Sequence, residues 1–290
     1  MSTASLIEYL VNGLQAGLLL FVISAGLTLS FGLMRVVNMA HGSFYMVGAF
    51  AGLTVAQRTG SFTLGVIVAT LSAAFMGWLI ERTLFRRLYP RGPFSQMLVS
   101  FGLIFVFDEL ARIVWGGEIR SLARPEALSQ SYEWLGASIE GYRLFLIAFG
   151  ALMSVALFVG LVRTPLGTAV RAAVDDREAS ELLGMKVTTL FSLVFLAGAG
   201  LAGAAGFVAI PIVNAFPGMG DDVLVSALVV VVIGGLGSVF GSLLASLLIG
   251  YALTVGQVVA AGYAPAVMYA VLTVVLLLRP HGLLGKAEGS

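Results

Sequence analysis

TLFSLVFLAGAGLAGAAGFVAIPI (189–212) runs for 24 residues without a charge. A helix rises 1.5 Å per residue, so about 20 such residues cross roughly 30 Å of hydrocarbon while every backbone polar group is satisfied inside the segment. Eight further apolar runs lie on either side, at 8–33, 36–57, 62–82, 95–116, 143–162, 222–236, 239–258 and 263–279. Most are too long for the strands of a transmembrane barrel, which alternate over about 10 residues. The composition agrees: 59% of residues are hydrophobic and 11% charged, with a mean hydropathy of +1.02, whereas soluble domains carry about 25% charged residues. The expected fold is therefore all-α, a polytopic membrane helical bundle of eight to nine transmembrane segments in a single domain over 1–290. Segment 36–57 is rich in Gly and Ser and 222–236 is short, so both are candidates for half-membrane helices.

The same composition excludes several chemistries. A net charge of +1 gives no basic field for nucleic acid. The absence of cysteine removes disulfides, iron–sulfur ligation and thiol catalysis. His41 and His281 alone cannot build a metal site, so no metal, cofactor or catalytic residue is expected. No separate signal peptide stands out, because the first apolar run is too long and has no basic leader.

Lys and Arg mark cytoplasmic loops. Arg82, Arg86, Arg87 and Arg91 define one, Arg163, Arg171, Arg177 and Lys186 a second, and Arg279 with Lys286 a third. Loop 117–142 differs, since Glu118, Glu126, Glu133 and Glu140 outnumber Arg120 and Arg124, and Tyr132 and Trp134 suit an interface. Placing this acidic loop outside and the basic loops inside predicts an outside N-terminus and an inside C-terminus, with eight full spans and an inside N-terminus as the alternative.

Immediately before 189–212 stands the only long polar stretch between the apolar runs, AVRAAVDDREASELLGMK (169–186). Pro165 and Gly167 suit a turn into a short helix, on which Arg171, Asp175, Glu178 and Leu182 follow at helical spacing. A short helix with small residues at its centre and charges around it fits a groove on a soluble partner; a solvated loop obeying the charge rule is the plainer reading. Apolar helices also break at LMRVVNMAHGSF (33–44) and at VIGGLGSVFG (232–241), positions that echo the paired broken helices of transporters. Asn38 can cap the helix that follows the first break, and Asn38, His41 and Ser43 are candidates for the translocation path, against simple satisfaction of local backbone groups. GGLGS (234–238) reads first as a tight helix–helix turn. Within 95–116, Asp108 and Arg112 are spaced to pair near the outer end of the span, as an outer-mouth charge pair.

The motif Glu178-Ala179-Ser180, three residues, then Gly184 in a cytoplasmic loop resembles the coupling helix of ABC-importer permeases. With GTAVRAAVDDREASELLGMKV (167–187), NMAHGSFYMVGAF (38–50), VVIGGLGSVFGSLLASLLIG (231–250) and the basic loop ERTLFRRLYPRG (81–92), the chain resembles the branched-chain amino-acid permease family of bacterial ABC importers over nearly its whole length. Ser180 stands where that family usually has Ala. The resemblance implies a multi-pass subunit of the bacterial inner membrane with a coupling loop at about 163–187, in which Arg171, Glu178, Ala179, Ser180 and Gly184 contact an ATPase. It also implies the partners: membrane lipid, a second permease subunit, two ATP-binding cassette subunits and a periplasmic substrate-binding protein. Leucine, isoleucine or valine, or a related small amide or carboxylate, would be the cargo. No G-x-x-x-x-G-K-[ST] occurs, so the chain has no phosphate-binding loop of its own. An ion-coupled secondary transporter is the rival; it calls for midplane carboxylates, and the only acidic residues well inside the apolar runs are Asp108 and Glu109, off-centre. An intramembrane serine protease would need a G-x-S-G serine, and none occurs.

Overall fold

The computed structural model describes residues 3–34, 36, 38–259 and 263–285. Its secondary structure is helical apart from one small hairpin. Among the described residues there are eleven helices: α1 Thr3–Met34, α2 His41–Thr59, α3 Phe62–Ile80, α4 Pro93–Trp115, α5 Gly141–Arg163, α6 Pro165–Asp175, α7 Arg177–Leu182, α8 Val187–Val213, α9 Met219–Gly234, α10 Val239–Val259 and α11 Ala264–Leu278. α3 continues through a π turn at Glu81–Phe85 into two short turns ending at Arg91. By length and composition, five helical stretches can cross a membrane: Thr3–Gly32, Phe62–Arg91, Gly141–Arg163, Val187–Val213 and Val239–Val258. Each of the nine apolar runs falls on a helix. The run drawn from 36 starts its helix only at His41, and the segment drawn over 222–236 is a 16-residue helix. Lys286 of the C-terminal basic cluster lies outside the described residues, as do Arg35 and Val37 of the first break.

The chain divides into two compact units, Gly26–Ala123 with Leu157–Val225, and Met1–Ala25 with Arg124–Ala156 and Ser226–Ser290. In the first, α2, α3 and α8 pack against one another. α8 is apolar all round, as suits a helix surrounded by protein or membrane; Phe191, Phe195, Ala202, Ala205, Phe207 and Ile210 are all in the core, while Leu193 and Val213 are exposed. What brings its neighbours close is the run of small residues LAGAGLAGAAG (196–206). Gly198 faces Gly26 backbone to backbone, Gly203 faces Gly48, and Gly206 abuts the carbonyl of Tyr45. Small residues let helices in apolar surroundings approach until dispersion forces hold them. A β-carbon at Gly48 or Gly203 would overlap the opposing helix.

The second unit has its core at Leu20, Val229, Val230, Ile233, Ala245, Ile249 and Met268. The loop predicted at 117–142 contributes to it the one sheet among the described residues, β1 Ser131–Trp134 antiparallel to β2 Ala137–Glu140. Leu135 and Gly136 form its two-residue turn with φ of 49° and 81°, the left-handed pair that matches strand twist. Glu140 ties this hairpin down through Arg124 at 3.1 Å and Arg143 at 3.2 Å, and Arg143 reaches Asn12 on α1 at 2.7 Å. The break at 234–238 is the tight turn expected there: Gly235 and Gly237 have positive φ, and the C-terminal residue Leu283 donates its N–H to the carbonyl of Ile233 at 2.7 Å.

Candidate functional site

The polar island forms two short helices rather than the single one its spacing predicted. Thr164 caps α6 by accepting from the N–H of Gly167 at 3.0 Å, with Pro165 at the first turn, where its missing N–H costs nothing. α6 presents an apolar stripe of Gly167, Val170 and Ala173 inward. It stops at Asp176, whose extended backbone (φ −148°, ψ 103°) ends α6 while its carboxylate accepts from the N–H of Ala179 at 2.9 Å and starts α7. This dual cap offsets part of the cost of breaking the helix, since an Asp N-cap contributes about 1 kcal/mol over Ala. The arc Arg171, Asp175, Glu178, Leu182 is therefore not one face of one helix.

Within α7 the motif residues divide. Glu178 and Ala179 are exposed, whereas Ser180 is buried and donates its hydroxyl to the carbonyl of Asp176 at 2.8 Å. Arg177 pairs with Glu181 at 2.9 Å. Arg171 on α6 donates to the carbonyl of Leu161 and to the hydroxyl of Thr168, bracing the start of the island. α7 ends where the N–H of Gly184 meets the carbonyl of Glu181 and that of Met185 meets Ser180. Gly184 holds φ at +81° with open space around it, so its first requirement is the left-handed backbone of a helix C-terminus. The family resemblance placed Gly184 against an ATPase; the turn alone is a sufficient reason for a glycine here.

Helical spacing placed Leu182 only as one member of that arc, and Leu183 was not singled out at all. They are 84% and 82% exposed, the two most exposed large apolar side chains among the described residues. They stand at the tip of a polar loop flanked by Glu178 and Lys186, where a lone monomer gains nothing from displaying them. Their signal was present as an adjacent apolar pair within the island.

The other predicted residues sit elsewhere in the Gly26–Ala123/Leu157–Val225 unit. Asn38, His41 and Ser43 are all buried. Asn38 does not cap α2: its Oδ1 accepts from the N–H of Ala40 at 3.0 Å, a turn one step earlier, and the capping position is Ala40 without a side-chain bond. The next residues pack closely, for Gly42 abuts the carbonyl of Gly220 at the start of α9. Asp108 and Arg112 interact electrostatically, but the two side chains do not come within 4.0 Å as an ion pair. Arg112 instead lines an open cavity of about 320 Å³ with Gly117, Ile119, Phe216 and Pro217.

Comparison with known proteins bears on what this scaffold belongs to. The chain is 28% identical over 97% of its length to BraD of Pseudomonas aeruginosa, a high-affinity branched-chain amino acid transport system permease protein, covering 96% of that protein. It is 26% identical to LivH of Escherichia coli K12 with the same coverage, and 26% identical to LivM of the same strain, covering 91% of this chain and 67% of LivM. No solved structure matches it significantly. Residues 9–279 match the family described as branched-chain amino acid transport system / permease component, and the chain belongs to that family, as a multi-pass membrane permease of the ABC-transporter type.

Proposed function

We propose that this chain is one of two permease subunits of an inner-membrane ABC importer for branched-chain amino acids, and that α7 is the element through which separate ATPase subunits drive it. The observation that carries the reading is the pair Leu182 and Leu183, held out from a capped two-helix island next to an acid and a base. Buried apolar anchors with a polar rim are the usual anatomy of a protein–protein hot spot. Glu178, Ala179 and Gly184 would border that contact; Ser180, which bonds within the island, and Arg171, which ties its start to the carbonyl of Leu161 on α5, hold its shape. The mechanism supported is alternating access. ATP-driven closure of two ATPases draws the α7 helices of two permeases together, and the spans attached to them reorient the path. BraD, LivH and LivM are named for branched-chain amino acid transport, which supports leucine, isoleucine and valine as cargo. This chain is similar to LivH over 96% of that protein and to LivM over 67% of it, which supports a related second permease as its partner. A periplasmic binding protein would deliver the cargo.

The test is reconstitution of the purified chain in liposomes, alone and with a second permease, ATPase subunits and a binding protein of the same importer. Alone it neither hydrolyses ATP nor accumulates amino acid under a proton or sodium gradient; assembled, it takes up leucine only with ATP. Gradient-driven uptake by the lone chain would establish the ion-coupled carrier instead.

A further inference from the structure

Among the described residues one charged side chain, away from the island, lies fully buried. Glu81 follows the last turn of α3 and its side chain has no solvent exposure. Taking a carboxylate out of water costs several kcal/mol unless partners replace the solvent, and here every partner is in place. Its Oε1 accepts from the hydroxyl of Tyr89 at 3.0 Å and faces Arg86 Nε at 3.7 Å. Its Oε2 accepts from the hydroxyl of Ser192, on α8, at 2.7 Å. Arg86 closes the ring by donating to that same hydroxyl at 3.1 Å. Glu81 also opens the π turn Glu81–Phe85, a local widening of the helix that is rare and concentrates at functional positions.

The cluster extends to the island. Tyr89 meets Phe191 edge to face at 5.7 Å, and the guanidinium of Arg177, the first residue of α7, lies over the face of Phe191 at 5.0 Å. Arg177 is at the same time paired with Glu181. A continuous series of contacts thus runs from α7 through Arg177, Phe191, Tyr89 and Glu81 to the end of α3, and through Ser192 to α8. These are the two helices that pack most intimately with α2 in this unit, with Gly77 of α3 against Ala199 of α8.

We infer that Arg177, Phe191, Tyr89 and Glu81 form a relay that carries displacement of α7 to α3 and α8, so that Arg177 and Glu81 are positioning residues for transport. The inference rests on the proposed function, since it needs an ATPase to move α7. A buried, fully partnered charge resists partial opening, because losing one partner leaves it stranded; the cluster moves as a unit. A cation over an aromatic face tolerates sliding while keeping its attraction, which suits the joint between a short surface helix and a long buried one.

The experiment uses the assembled transporter with its second permease, ATPases and binding protein, and reads three quantities: ATPase co-purification, basal ATPase rate, and leucine taken up per ATP hydrolysed. Arg177→Ala, at a half-exposed side chain, keeps its ATPases and basal rate, while uptake per ATP falls about tenfold, the equivalent of one partly desolvated cation–π contact. Arg177→Lys restores most of it, because an ammonium also sits over Phe191. Tyr89→Phe, which keeps the ring and deletes one bond to Glu81, reproduces the uncoupling in milder form. An Arg177→Ala transporter with unchanged uptake per ATP overturns the relay. So does one that sheds its ATPases, which would make Arg177 a docking residue. A wild-type complex that binds no ATPase overturns the proposed function itself.

Discussion

Replacing both Leu182 and Leu183 by Ala probes the docking surface with little risk to the fold. The two side chains are 84% and 82% exposed, so truncation removes almost no packing from this chain, and exposed substitutions usually change stability by no more than about 0.5 kcal/mol. Each Leu→Ala change deletes three carbons. If a partner buries them, at about 0.8 kcal/mol per carbon and with some four-fifths of each side chain still to be covered, the loss is about 2 kcal/mol per leucine, or about 30-fold in affinity. The two are adjacent and share neighbours, so their effects need not add, and the double variant should weaken ATPase binding by at least about 30-fold. The assay titrates purified ATPase subunits onto the permease pair in detergent or nanodiscs, with membrane abundance and thermal stability as controls. Unchanged ATPase affinity in the double variant would refute the docking argument outright. Loss of folded protein would show instead that the leucines pack against this chain.

Gly184 separates backbone geometry from steric fit: Gly184→Asn, which visits the left-handed region readily, should transport better than Gly184→Ala, which pays about 1 kcal/mol there, and the reverse order in an uptake assay would show that side-chain size decides. Because the chain has no cysteine, single cysteines at the exposed positions Ser129 and Lys186 can be labelled without background; an impermeant thiol reagent on intact cells should modify 129 and spare 186, and the opposite pattern would invert the orientation. Gly48→Leu should lower the melting temperature and the folded yield sharply, since its side chain would enter the backbone of Gly203 and overpacking costs about 1–3 kcal/mol or more; normal stability by thermal-shift assay would show that α2 and α8 are not in backbone contact.

The helices were legible in the sequence, because the bilayer leaves little choice. With no water to satisfy the backbone, each long apolar run has to be a helix, and the nine runs sit on nine helices whose ends differ from expectation by a few residues. The loops were less legible, where single side chains decide. Asp176 splits the island by capping it in mid-sequence, a role that helical spacing conceals although an Asp three residues before Ala179 is a start signal. Asn38 was read as a helix cap, and its side chain bonds instead to the N–H of Ala40, the capping position itself. The hairpin at 131–140 rests on a Leu-Gly turn, and Leu at a left-handed position carries no turn signal. Glu81 was hidden by its surroundings: among Arg82, Arg86 and Arg87 it reads as part of a solvated basic loop, and only the fold shows that Ser192 and Tyr89 enclose it. Small residues in α8 were equally legible as letters but not as a packing spine, since glycine content alone does not say which helices meet.

The central claim, that the tip of α7 is where an ATPase engages this permease, is tested most directly by cross-linking. A single cysteine at Leu183, carrying a maleimide–benzophenone probe and irradiated in the assembled transporter, should give one major adduct that peptide mass spectrometry identifies as a P-loop ATPase, and excess unlabelled ATPase should compete it away. An adduct with lipid alone, or with another segment of this chain, would contradict the account.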